Sequence, residues 1–123
     1  MKSDNEKFKI EFKKRLYNWV LNLIKLIDSL PKDSVSEIIS RQLIRSGTSV
    51  LANYIESLSA SSKKDFINFF HHSLKSANES KVWISLLKDL GKGERVRLEV
   101  LLGELIEIAN ILASSLLTLK GRK

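Results

Sequence analysis

Apolar residues recur along this chain at steps of three and four, the spacing of a helix buried on one side. The first such segment, about residues 8–30, carries Phe12, Leu16, Trp19, Leu23, Leu26, Ile27 and Leu30 on one stripe. Pro31 then forbids continuation, because it lacks an amide hydrogen and disfavours helix in the residue before it. The second segment, about 34–58, places Leu43, Gly47, Val50, Leu51, Tyr54 and Leu58 together. Ser34-Val35-Ser36-Glu37 reads as its capping box, with Ser34 accepting from the third amide and Glu37 reaching back. The third, about 63–90, opens at Ser62 with Asp65 and aligns Phe66, Phe69, Phe70, Ser73, Ala77, Ser80, Ile84 and Leu87. Its small central residues predict a tight helix crossing, and Gly91-Lys92-Gly93 ends it. The fourth, about 94–119, has Leu98, Leu101, Leu102, Leu105, Ala109, Leu112 and Leu116. With no competing strand pattern and only short loops, the pattern predicts one all-α domain over 1–123, an antiparallel up-and-down four-helix bundle.

Some residues do not fit a single core stripe. Tyr17, Leu21 and Ile24 lie beside the stripe of the first helix, and Val100 and Ile111 fall on the Glu-containing side of the fourth. This surplus predicts contacts between copies of the chain. Gly47, in mid-helix at a cost of about 1 kcal/mol relative to alanine, predicts close approach of a neighbouring backbone. Opposite the apolar stripe of the second helix, Gln42, Arg45, Ser49, Asn53 and Glu56 form a line of hydrogen-bonding groups where Lys and Glu would be ordinary. That line is either a wet face or a seam in which each donor and acceptor finds a partner in the same or another chain. Trp19 reads as core. Trp83 lies beside its stripe and is the better candidate for an interface or for stacking on a base.

The charge adds a partner class. With 21 Lys and Arg against 14 Asp and Glu, the net charge is +7, which favours an anionic partner, nucleic acid before a membrane surface. Lys13, Lys14 and Arg15 on the first helix, and Lys92, Arg95 and Arg97 around the last hinge, are the candidate phosphate contacts; solvated helix ends are the alternative. No chemistry competes with binding. The chain has no cysteine, and adjacent His71 and His72 point about 100° apart on a helix, so they cannot chelate one ion. Neither histidine follows an acid at the spacing of a di-iron bundle. No nucleophile elbow or phosphate loop occurs. The reading is therefore no enzyme, no catalytic residue, no metal and no cofactor. The polar start and charge-interrupted apolar runs predict no signal peptide, no spanning helix and a cytoplasmic location.

Gln42-Leu43-Ile44-Arg45-Ser46-Gly47-Thr48-Ser49-Val50-Leu51-Ala52-Asn53-Tyr54-Ile55-Glu56 resembles the central motif of the four-helix bundle family encoded in ribosomal-RNA intervening sequences. Ser62-Lys63-Lys64-Asp65-Phe66-Ile67, Leu74-Lys75-Ser76-Ala77-Asn78-Glu79-Ser80 with Trp83, and Leu30-Pro31-Lys32 extend the likeness over nearly the whole chain. Leu51 stands where many members carry proline, so the chain resembles the branch with an uninterrupted second helix. The resemblance implies bundles assembled into a homopentameric ring. More distantly it includes the basic accessory protein of diversity-generating retroelements, which implies RNA or DNA, and a reverse transcriptase, as partners. The expectation is a non-enzymatic homo-oligomer binding structured RNA or a nucleoprotein; a structural or protein-interaction module without nucleic acid is the alternative.

Overall fold

The computed structural model describes residues 3–121, which form four helices: α1 (Asp4–Asp28), α2 (Ser34–Leu58), α3 (Lys63–Asp89) and α4 (Arg95–Gly121). There is no strand among the described residues. Each helix packs on its neighbours in sequence and α4 closes against α1, while among the described residues the backbones of the diagonal pairs stay apart. Antiparallel order is visible in the cross-helix bonds. Trp19 Nε1 donates to the Leu101 carbonyl at 3.0 Å and Arg15 reaches Glu104, so α1 residue numbers rise as α4 numbers fall. Between α2 and α3, Arg45 meets Glu79 and Ser73 Oγ donates to the Val50 carbonyl at 2.7 Å, again in opposite sense.

The helix ends differ instructively from their sequence signals. α1 begins at Asp4, earlier than its apolar stripe, because Ser3 and Glu6 form a reciprocal capping box. The box expected at Ser34 is not formed. Asp33 is the N-cap of α2, accepting from the Ser36 amide at 2.9 Å and the Ser36 hydroxyl at 3.1 Å, and Ser34 becomes the first helical residue. A carboxylate accepts these donors at least as well as a hydroxyl and also favours the positive end of the helix dipole. Ser62 caps α3 as its sequence indicates, accepting from the Asp65 amide. At the far end, Gly91 (φ 69°) and Gly93 (φ 87°) adopt left-handed conformations. The Lys92 amide returns to the Leu87 carbonyl and that of Gly91 to the Lys88 carbonyl, the paired bonds of a Schellman end. The basic tail lies partly outside the described residues; Lys120 and Gly121 are helical.

One core joins all four helices, with Trp19, Tyr54, Leu16, Leu23, Leu43, Leu87, Leu105 and Leu112 among its fully buried side chains. The small residues of α2 and α3 meet as their pattern implies. Ser46, Ser73, Ala77 and Ser80 are buried, and Ser46 Oγ lies 2.7 Å from Ser80 Oγ, which donates to the Ser76 carbonyl at 2.8 Å. These hydroxyls bond one another or a helix carbonyl, so the tight crossing strands no polar group. Gly47 is a close approach of a different kind from the one its sequence implies. Its neighbours are the side chains of Leu23 and Trp19 on α1, not backbone. Of the surplus apolar residues, Tyr17 and Leu21 are exposed and Val100 is 66% exposed, whereas Ile111 packs on the edge of the core. α4 is long and apolar enough to cross a membrane, contrary to the sequence reading. In this fold its stripe from Leu98 to Leu116 is consumed by the core.

Candidate nucleic-acid interface

The six candidate cations do not form one patch. Lys13 and Lys14 lie on the outside of α1, both exposed, and neither has a carboxylate within ion-pair distance among the described residues. Arg15, one step on, turns to α4. Its Nε and Nη2 donate to the two carboxylate oxygens of Glu104 at 2.6 and 2.9 Å, and Nη2 also donates to Glu107 at 2.7 Å. The two carboxylates raise the guanidinium pKa further above its already high value, and the bonds from Arg15 hold the Glu104 carboxyl below the usual range. Arg15 therefore joins two helices and has little capacity left for a phosphate.

At the opposite end, the hinge cations are also engaged. Lys92 Nζ is 3.3 Å from Asp33 Oδ2, joining the α3–α4 turn to the cap of α2. The Asp33 carboxyl is held below its usual range, first by the Ser36 amide and also by Lys92. Arg95 pairs with Glu99 one turn on at 3.3 Å, and Arg97 donates to Ser29 Oγ at 3.2 Å. The Arg97 amide donates to Glu94 Oε2 at 2.9 Å, so Glu94 caps α4.

The polar line of α2 is a seam with α3, open to solvent along its outer edge. Arg45 donates to Gln42 Oε1 at 3.1 Å and to Glu79 Oε2 on α3, and Trp83 Nε1 donates to the same Glu79 oxygen at 3.0 Å. Asn53 donates to the Ser49 carbonyl at 2.9 Å, and Ser49 itself is half-buried. Glu56 is exposed. Glu79 is the member that sequence reasoning missed, although it sits four residues before Trp83 and so shares its face. Glu104 and Glu107 were missed as partners of Arg15; only the antiparallel register of α1 and α4 brings them there.

An experiment on Arg15 separates its structural role from phosphate contact. Arg15→Met is expected to lower stability by about 1 kcal/mol, since a bidentate but partly exposed pair is lost. Glu104 has a depressed folded pKa, so its share of stability is complete above the unfolded glutamate pKa of about 4.3 and disappears as pH falls through the folded value. Denaturant melts from pH 7 down to 3 should therefore show a steeper acid loss for the parent than for Arg15→Met.

What the geometry defines is a helical bundle with an ion-paired α1–α4 side, a hydrogen-bonded α2–α3 seam and, among the described residues, Lys13 and Lys14 exposed without an ion pair. The chain belongs to the 23S rRNA-intervening sequence protein family, which it matches over residues 9–114. It is also similar to a solved structure from Bacteroides thetaiotaomicron, described as a protein of unknown function from the S23 ribosomal protein family. The two share 31% identity and a TM-score of 0.79, over 85% of this chain and 97% of that one. No curated protein matches the chain.

Proposed function

We propose that this protein is a non-enzymatic, homo-oligomeric RNA-binding bundle, five copies to a ring, acting in the cytoplasm. The observation that carries the reading is the collection of lysines at one end of the bundle. α1 and α3 begin there, and α2 and α4 finish there. Lys7, Lys9, Lys13, Lys14, Lys64 and Lys120 are exposed at that end, and none forms an ion pair among the described residues. The acids of that end are Asp4, Glu6, Glu11, Glu56 and Asp65, of which Glu6 accepts from Ser3 and Asp65 from the Ser61 hydroxyl. Membership of a family named for an rRNA intervening sequence supports RNA as the anion. Binding would run through phosphates, with little sequence preference. Filter binding of a structured RNA across a salt series tests this. Affinity should fall steeply with salt as condensed counterions are released; no binding at low salt overturns the reading in favour of a protein-interaction module.

Self-association is supported by a separate surface. At ~100° per residue, Tyr17, Leu21 and Ile24 lie on the flank of α1 turned toward α2. Ile44, Leu51 and Ile55 lie on the facing flank of α2. Tyr17, Leu21, Ile44 and Ile55 are all exposed, which leaves an apolar seam across two helices. A second copy is the occupant we assign, because the seam joins two helices of one rigid pair and would repeat around a closed ring. Native mass spectrometry should give an oligomer, with five copies expected. Leu21→Asp should release monomer that keeps its helical circular dichroism; a monomeric parent at micromolar concentration ends this part of the reading.

A further inference from the structure

The core-facing stripe of α1 does not stop at Phe12. Counting back by helical steps, its next positions are Lys9 and Asn5, two polar residues where a bundle would place apolar ones. The core opens there into a cavity of about 430 Å³ between the start of α1, the start of α3 and the end of α4. This lies within the ~300–1,000 Å³ of small-ligand clefts.

Its walls are aromatic. A chain of ring contacts runs Phe8–Phe12–Tyr54–Phe70–Phe66, with centroids 5.4, 5.0, 5.7 and 4.9 Å apart. Phe8 and Phe66 are the members that remain partly exposed. Opposite them α4 presents Ser114, Ser115 and Thr118. The Tyr54 hydroxyl, on a side chain that is itself buried, lies 3.4 Å from the Lys9 carbonyl, its one partner among the described residues and a long contact for such a bond. Burial raises its pKa to about 12, so it stays a neutral donor.

We propose that this cavity takes a single unpaired nucleobase of the bound nucleic acid, stacked on Phe8 and Phe66, with its polar edge toward the α4 hydroxyls. The inference rests on the nucleic-acid reading above and deepens it. Partly exposed rings suit a flat π-face, since base–aromatic stacking is tolerant of sequence. Hydroxyl and amide groups suit a hydrogen-bonding ring edge better than a purely apolar ligand. Lys9 lines the opening and suits an adjoining phosphate, and Lys120 follows the cavity-lining Leu119 at the end of α4. No carboxylate is among the residues that line the cavity, and Glu6, one residue from Asn5, is turned to Ser3.

Two measurements on the full chain test this. Isotope-labelled protein is titrated with adenosine 5′-monophosphate and, separately, with ribose 5-phosphate. Amides of Asn5, Phe8, Ser115 and Thr118 should shift with the nucleotide and not with the sugar phosphate. Affinities are then compared for a single-stranded oligonucleotide and a fully paired duplex of equal phosphate number. Phe8→Ala, at a partly exposed ring, and Ser115→Phe, which fills the cavity, should each weaken single-strand binding about five-fold to 100-fold, the loss of one stacked base. Duplex binding should be unchanged. Equal shifts from both small ligands, or equal losses for both polymers, overturn the base pocket while leaving phosphate binding intact. No binding of either polymer with base-dependent shifts retained would remove the nucleic-acid reading and keep the pocket.

Discussion

Gly47→Ala is expected to destabilise this bundle, against the direction that helix propensity gives. Alanine is the better helix former by about 1 kcal/mol. A Cβ at position 47, however, would stand 2.3 Å from Leu23 Cδ2 and 3.4 Å from the Trp19 ring. Leu23 is wholly buried and Trp19 is 2% exposed, so neither has solvent to swing into. Overpacking of this kind costs about 1–3 kcal/mol, which leaves a net loss of about 1 kcal/mol. Leu23→Ala alone should cost about 2–5 kcal/mol through lost burial and the cavity left behind. In that background the sign reverses. The new methyl of Gly47→Ala meets space rather than Cδ2, and the double variant should be about 1 kcal/mol more stable than Leu23→Ala. Denaturant melts of the four proteins decide it. Simple additivity would mean that Leu23 relocates at no cost, and that Gly47 is held for some reason other than this contact.

Gly47 also illustrates what the sequence could and could not say. A mid-helix glycine on the buried stripe announces a close approach, but not which atoms approach, because that depends on the register of α1 against α2. The helices themselves were legible, since apolar periodicity is a local property and most of each stripe from Phe12, Leu43, Phe70 and Leu98 is buried in the structure, although Leu58, placed on the second stripe, is exposed at the end of α2. Caps were less so. Asp33 and Ser34 are both good N-cap residues; Asp33 takes the role through the Ser36 amide and hydroxyl, and Lys92, 3.3 Å from its carboxylate, adds a contact from across the fold that no local pattern announces. Charge was least legible of all. Lys14 and Arg15 are neighbours in sequence and equivalent by residue type, yet one is exposed to solvent and the other is clamped by Glu104 and Glu107. The difference is a rotation of about 100° on α1, which becomes meaningful only when the position of α4 is known.

That distinction gives the strongest expectation about function. Reversing Lys13 and Lys14 together to glutamate should flatten the slope of log affinity against log salt by about one unit per lost phosphate contact. The protein should melt as the parent does, because both side chains are exposed and neither holds an ion pair among the described residues. The Lys92, Arg95 and Arg97 triple reversal should behave in the opposite manner. It breaks the contacts to Asp33, Glu99 and Ser29 and places new carboxylates beside Asp33 and Glu99. Its first effect should be a lower melting temperature, with a smaller change in salt slope than the double reversal gives. The measurement is filter binding of one structured RNA across a salt series, with a thermal melt of every variant in the same buffer. A triple variant that melts normally and flattens the slope more than Lys13→Glu/Lys14→Glu does would move the nucleic-acid surface to the hinge end, because the slope counts the cations that neutralise phosphates.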